Sequence, residues 1–214
     1  MNKLIFNSLI LIFFSSNCFL HAQQSEKATE LLNEVSKKMS TYQNMYIKFK
    51  YTLENKEVDI KQEYEGVAYA YGEKYNLKFM GNIFIYDGTK TYIILEEDEE
   101  INVISGSSEE DLLTPTKLFN FYQEGYSYQL AAKEKINGKQ LQHVKLIPID
   151  SNSESAYFLL SIDLDSKNIN SIANIGNNGT ETIISINEFK TNLELSDRLF
   201  SFNKSEYTNY IINE

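Results

Sequence analysis

The sequence is poor in the residues that most often carry chemistry. It has 214 residues but one cysteine, two histidines, two prolines and no tryptophan. Cys18 falls in the first stretch of the chain, so a processed form would have no cysteine. That excludes disulfides and thiolate metal sites, and leaves the protein equally suited to oxidising or reducing surroundings. His21 falls in the same stretch. His143 then stands alone in a predicted strand, flanked in alternation by Leu141, Lys145 and Ile147, and one histidine makes a zinc site improbable. No G-x-S-x-G nucleophile elbow occurs, and no glycine-rich phosphate loop. Asp163-Leu164-Asp165 lacks the further ligands of a calcium loop. No cofactor and no catalytic group are expected. Two prolines and nine glycines are too few for a disordered or collagenous tract.

The N-terminus reads as a secretory signal. Lys3 supplies a positive start, residues 4–14 are apolar apart from Asn7 and Ser8, and Leu20-His21-Ala22 suits cleavage after Ala22. The domain division expected is therefore 1–22 leader and 23–214 folded domain. Processing at Cys18 as a lipidated first residue fits less well, because Asn17 is larger than the residue such processing prefers. The apolar run is shorter than the roughly 20 residues that span a bilayer, and no later segment approaches that length. The 20 basic and 30 acidic residues give a formal net charge of −10, or −11 once Lys3 leaves with the leader. Such a surface disfavours nucleic acid and anionic lipid headgroups and keeps a monomer dispersed in water.

What the sequence has is apolar periodicity and many aromatics, 15 Tyr and 13 Phe. Residues 25–39 predict a helix, with Ala28, Leu31, Leu32, Val35 and Met39 at three- and four-residue steps. From Met45 the period becomes two. Met45, Ile47, Phe49, Tyr51 and Leu53 share one strand face. Long strands then follow through residues 60–71, 75–79, 83–86, 91–95 and 101–104. Turns stand at Gly72-Glu73, Gly81-Asn82 and Asp87-Gly88, and Glu96 to Glu100 form an acidic, solvated loop. Thr114-Pro115 opens a short helix through Leu118, Phe119 and Tyr122, closed by Gly125. Strands return at 126–136, 140–147, 156–164, 169–175 and 180–189. One helical turn at 197–199 precedes a last strand at 200–202. The expected class is α+β, with about eleven hairpin-linked antiparallel strands, an N-terminal helix and a short second helix.

The order of these elements resembles the LolA-type periplasmic lipoprotein carriers over nearly the whole processed chain. The local matches are the opening helix and strand, Glu65-Gly66-Val67-Ala68-Tyr69, Lys74-Tyr75-Asn76-Leu77-Lys78-Phe79, Asp87-Gly88-Thr89-Lys90-Thr91-Tyr92, Thr114-Pro115 with Leu118, and Leu199-Phe200-Ser201-Phe202. The resemblance implies an unclosed β-barrel whose mouth is covered by helices. It implies a non-catalytic periplasmic carrier that hides lipoprotein acyl chains. Its partners would be an inner-membrane release complex and an outer-membrane acceptor. On that reading Phe49, Tyr51, Val67, Tyr69, Leu77 and Phe79 line the hollow, and Pro115, Leu118, Phe119 and Tyr122 form the lid. The sequence departs from the family at the turn after the glycine strand. Gly72-Glu73-Lys74-Tyr75 has neither the arginine nor the proline with which many members latch the lid. The alternatives are a half-barrel serving another lipid, an envelope-stress sensor, or a hydrolase built on two carboxylates.

Overall fold

Period-two alternation over long stretches makes strands that bury one face, and the short turns between them leave each strand no neighbour but the next. The computed structural model describes residues 23–106 and 114–213. The expected leader, with Cys18 and His21, lies outside the described residues. Six strands run up and down in sequence: β1 (Asn44–Asn55), β2 (Ile60–Tyr71), β3 (Lys74–Phe79), β4 (Asn82–Tyr86), β5 (Lys90–Leu95) and β6 (Glu100–Ser105). Five more follow: β7 (Tyr126–Ile136), β8 (Lys139–Pro148), β9 (Ser155–Asp163), β10 (Ile169–Gly176) and β11 (Thr180–Thr191). A short strand, β12 (Ile211–Asn213), ends the described chain. All lie in one sheet of order β12-β6-β5-β4-β3-β2-β1-β11-β10-β9-β8-β7, which does not close on itself. Every neighbouring pair is antiparallel except β12 beside β6, which is parallel.

The concave face is covered by helix α1, residues 23–39, and by the short α2 (Pro115–Leu118). The helix α1 is already formed at Gln23, two residues before Ser25. Ser25 is thus inside the helix rather than its cap, and its carbonyl accepts a hydrogen bond from the Thr29 hydroxyl at 2.9 Å. Ala28, Leu31, Leu32, Val35 and Met39 are all buried in the main core with Ile47, Phe49, Leu77 and Phe79. Two polar links fix the helix laterally. Lys167 Nζ reaches Glu34 at 2.6 Å, and the Tyr42 hydroxyl donates to Asn168 Oδ1 at 2.8 Å.

The final strand differs from expectation. Residues 200–202 do not pair. The chain from Asp197 to Phe200 is a 3-10 turn, tied to β3 by the Asn76 side-chain amide donating to the Leu199 carbonyl at 2.8 Å. This segment runs over the convex face, where Phe202 stacks on Tyr92 with ring centres 4.6 Å apart. With Tyr207, Tyr210 and Ile212 it covers Ile83, Ile85, Ile94 and Ile101, which form a second, separate core. The alternation of Phe200 and Phe202 looks like a strand, but β3 already has both edges paired, by β2 and β4, and only side chains remain to bind it.

One position shows how tightly the concave face is packed. Phe49 lies over the backbone of Gly66, its cross-strand neighbour, and a Cβ at residue 66 would collide with the ring. The ring cannot swing aside freely, because Phe79 packs against it at 5.6 Å. Gly66→Ala is expected to lower unfolding stability by about 1–3 kcal/mol, the range for overpacked cores, measured by urea denaturation. Phe49→Leu in the same chain should recover part of the loss.

Candidate functional site

The register of β1 decides what faces the concavity. Phe49 pairs with Gly66, and Gly66 with Phe79. Tyr51 pairs with Tyr64, and Leu77 with Ala68. Cross-strand partners share a face, so four of the residues singled out in the sequence, Phe49, Tyr51, Leu77 and Phe79, are brought together. The rings of Phe49, Tyr51 and Phe79 form one cluster with that of Tyr64, with Tyr51 to Phe79 at 5.3 Å and Tyr64 to Phe79 at 6.2 Å. Tyr51 and Tyr64 are only half-buried, so the cluster reaches the surface near the β1–β2 turn.

Val67 and Tyr69 do not belong to this set. Within β2 the residues facing the core are Gly66, Ala68 and Ala70, and the larger Val67 and Tyr69 point to the convex side. Hydrophobicity favours Val and Tyr as the buried pair. Size reverses the choice, because Phe49 and the side chains of β3 already fill the concave space and only small residues fit beneath them. A glycine and two alanines at alternate positions were the available clue.

The other wall of the concavity comes from the second half of the chain. Phe158 of β9 meets Phe121 at 5.2 Å and Tyr126 at 5.6 Å. Sequence reading placed none of these three in the site, although Phe158, Leu160 and Ile162 alternate in one strand. Asn174, the cross-strand partner of Phe158, is a polar exception, and its Oδ1 is buried without a hydrogen-bond partner among the described residues.

The lid residues Pro115, Leu118, Phe119 and Tyr122 are all buried. The α2 turn leads into a 3-10 turn, Phe121–Gln123, and together they press on β2, β3 and α1. Tyr122, 1% exposed, shares a 3.1 Å hydrogen bond between its hydroxyl and the Ser36 hydroxyl on α1. The Tyr128 hydroxyl donates to the carbonyls of Tyr122 and Gln123, at 2.8 and 3.1 Å. No arginine takes part. Lys74, the nearest cation in sequence to the family's latch position, is exposed, with its stem beside Gly88. Apolar contact and tyrosine hydroxyls are thus among the interactions that hold the lid. At its margin lies a cleft of about 290 Å³ between the end of α1, Met45 and Ala70, and Phe119 and Gln123 of the lid segment.

His143 sits on the convex face, opposite the aromatic clusters. Its Nε2–H donates to Glu134 of β7, and its Nδ1 is buried without a partner among the described residues. Ser161 lies directly across in β9. Its Oγ is also enclosed and without a partner among the described residues. Among the described residues no group of three or more His, Cys, Asp or Glu is placed to hold a metal ion. No helix among them is long and apolar enough to cross a membrane.

No protein-family model and no curated protein matches the sequence. Solved structures do match. An uncharacterized conserved protein from Thermus thermophilus aligns with a TM-score of 0.54 at 13% identity, over 87% of this chain and 98% of that one. A LolA superfamily protein from Nitrosomonas europaea aligns with a TM-score of 0.44 at 12% identity, over 82% and 97%. The Mycobacterium tuberculosis lipoprotein LppX aligns with a TM-score of 0.47 at 13% identity, over 80% and 99%. At these identities the likeness concerns fold alone.

The tyrosines around the lid predict a pH dependence. Burial pushes the Tyr122 phenol above its ordinary value, against the opposing pull of its bond to Ser36. Burial also raises Tyr126 and Tyr128. A phenol whose folded pKa is raised stabilises the fold fully below its unfolded value of about 10, and that contribution is lost as pH rises through the folded value. Stability measured by denaturation should therefore fall steeply above about pH 10, and Tyr122→Phe should flatten the slope.

Proposed function

We propose that this chain is a non-enzymatic carrier of acyl chains in the cell envelope, with lipid-modified proteins as its cargo. The observation that carries the reading is how the lid is held. Leu118, Phe119 and Tyr122 close an aromatic and aliphatic concavity through apolar contact, and one side-chain hydrogen bond ties them to α1. Contacts of this kind can be exchanged for hydrocarbon at little net cost.

The energetics suit a carrier. Burial is worth about 0.8 kcal/mol per methylene, so a 16-carbon chain contributes on the order of 12 kcal/mol before ordering costs. Opening the lid exposes apolar side chains of its own and offsets part of that gain. The difference sets an affinity high enough to take cargo from a membrane and low enough to release it. Phe49, Tyr51, Leu77 and Phe79 form one wall of the acyl site on this reading, and Phe121, Tyr126 and Phe158 the other. Pro115, Leu118, Phe119 and Tyr122 are the moving cover. The order of motifs in the sequence supports transfer in the LolA manner, from an inner-membrane release complex to an outer-membrane acceptor. A cleavable leader at 1–22 and a monomer in the periplasm belong to the same proposal.

Mass spectrometry of lipid co-purified with the protein should find diacylated or triacylated peptides. Another lipid class would make the chain a binding protein for that lipid. Competition against a fluorescent fatty acid should show lipopeptide binding that weakens about tenfold in Leu118→Asn, with the folded circular dichroism spectrum retained. A wild-type chain that takes up neither probe nor lipopeptide would overturn the proposal.

A further inference from the structure

The C-terminal segment encloses a second cavity, of about 470 Å³, against the convex face of β2, β3 and β4. That volume lies within the usual range for small-molecule sites, roughly 300–1,000 Å³. Val67, Ile83 and Ile85 form its apolar side, and Lys78 and Arg198 also line it. Arg198 is the only arginine in the sequence. It stands on the 3-10 turn capped by Ser196, which Asn76 ties to β3, so its backbone is held in place.

The cations of this cavity differ from those along β1 and β11. Lys48, Lys50 and Lys190 are each paired with a glutamate, Glu65, Glu63 and Glu188, at 2.6–3.0 Å. Neither Lys78 nor Arg198 has an ion-pair partner among the described residues, although the chain carries a net charge of −10. The one acidic side chain in the lining, Glu206, accepts a hydrogen bond from the Asn203 amide at 2.8 Å. Burial, with Glu206 and Glu96 nearby, holds the Tyr207 phenol above its usual range. It therefore offers the cavity a neutral hydroxyl rather than a phenolate.

We propose that this cavity binds a small anionic amphiphile, with its apolar tail on Val67, Ile83 and Ile85 and its acidic head against Arg198 and Lys78. The head is a carboxylate or a phosphate monoester, both of which match the guanidinium fork. The site lies on the opposite face of the sheet from the acyl-chain concavity and does not depend on the carrier reading.

The test is calorimetric titration of the full folded chain with dodecanoate, dodecyl phosphate and the neutral dodecanol. Arg198→Ala and Lys78→Ala should each weaken binding of an anionic probe about tenfold, and Glu206→Gln should tighten it. Leu118→Asn should leave this binding unchanged while weakening lipopeptide uptake, which separates the two sites. The better of the two anions identifies the head group, and the Ile83 and Ile85 amide resonances should shift on its addition. Measured in the Leu118→Asn background, so that the concavity does not contribute, binding that survives the Arg198→Ala, Lys78→Ala double variant would overturn the proposal. So would equal binding of dodecanol, binding lost only in Leu118→Asn, or no binding of either anion.

Discussion

Two runs of hairpin-linked strands meet along a single seam. The strand β1 pairs with β11 from Met45 opposite Thr191 to Asn55 opposite Thr180, and among the described residues no other pairing joins the first six strands to the five that follow. Everything on the concave side depends on this one long-range contact. It sets the two aromatic walls on either side of a common trough. The described part of the connection between β6 and β7, from Thr114 to Gly125, packs against β2, β3 and α1 across that trough. The cover segment is thus part of the connection itself, and the buried Leu118, Phe119 and Tyr122 belong to it. The register shift between Lys48 and Phe49 falls within this seam. Such an irregularity increases local twist, at the centre of a sheet that must curl.

Much of this was legible in the sequence where only one answer was compatible with the pattern. The strand β1 alternates lysines with aromatics and aliphatics, so its buried face is unambiguous, and Phe49 and Tyr51 lie on the concave side. The helix α1 has one apolar stripe, and its five predicted residues are all in the core. The strand β2 was not legible in the same way. Gly66-Val67-Ala68-Tyr69-Ala70 is apolar on both faces, because both faces are covered, one by α1 and the lid and the other by the C-terminal segment. Alternation cannot choose between two buried faces, and volume matching with Phe49 made the choice. The C-terminal segment was hidden for a related reason. Its aromatic residues are spaced as a strand would space them, yet they bind by ring stacking across the convex face.

The outer surface between these covered patches is held by short ion pairs along β1, β2 and β11. Side-chain hydrogen bonds from Lys50 to Glu63 and from Lys190 to Glu188 pull both carboxyls below their usual range. These groups are exposed, and such pairs add little to stability. Their effect is on the register and on solubility, since a row of opposite charges disfavours a slipped pairing.

The parallel strand β12 has an effect at the flank of the sheet. An uncapped strand presents its amides and carbonyls to any extended chain that comes near. Here β12 occupies the outside of β6, with Ile211, Ile212 and Asn213 opposite Glu100, Ile101 and Asn102. The far flank, β7, has no such cover among the described residues, and carries Lys133 and Lys135 beside an irregularity in its pairing. On the β6 side the edge is moved outward to β12, which is only three residues long and so offers a visiting strand few backbone groups to pair with.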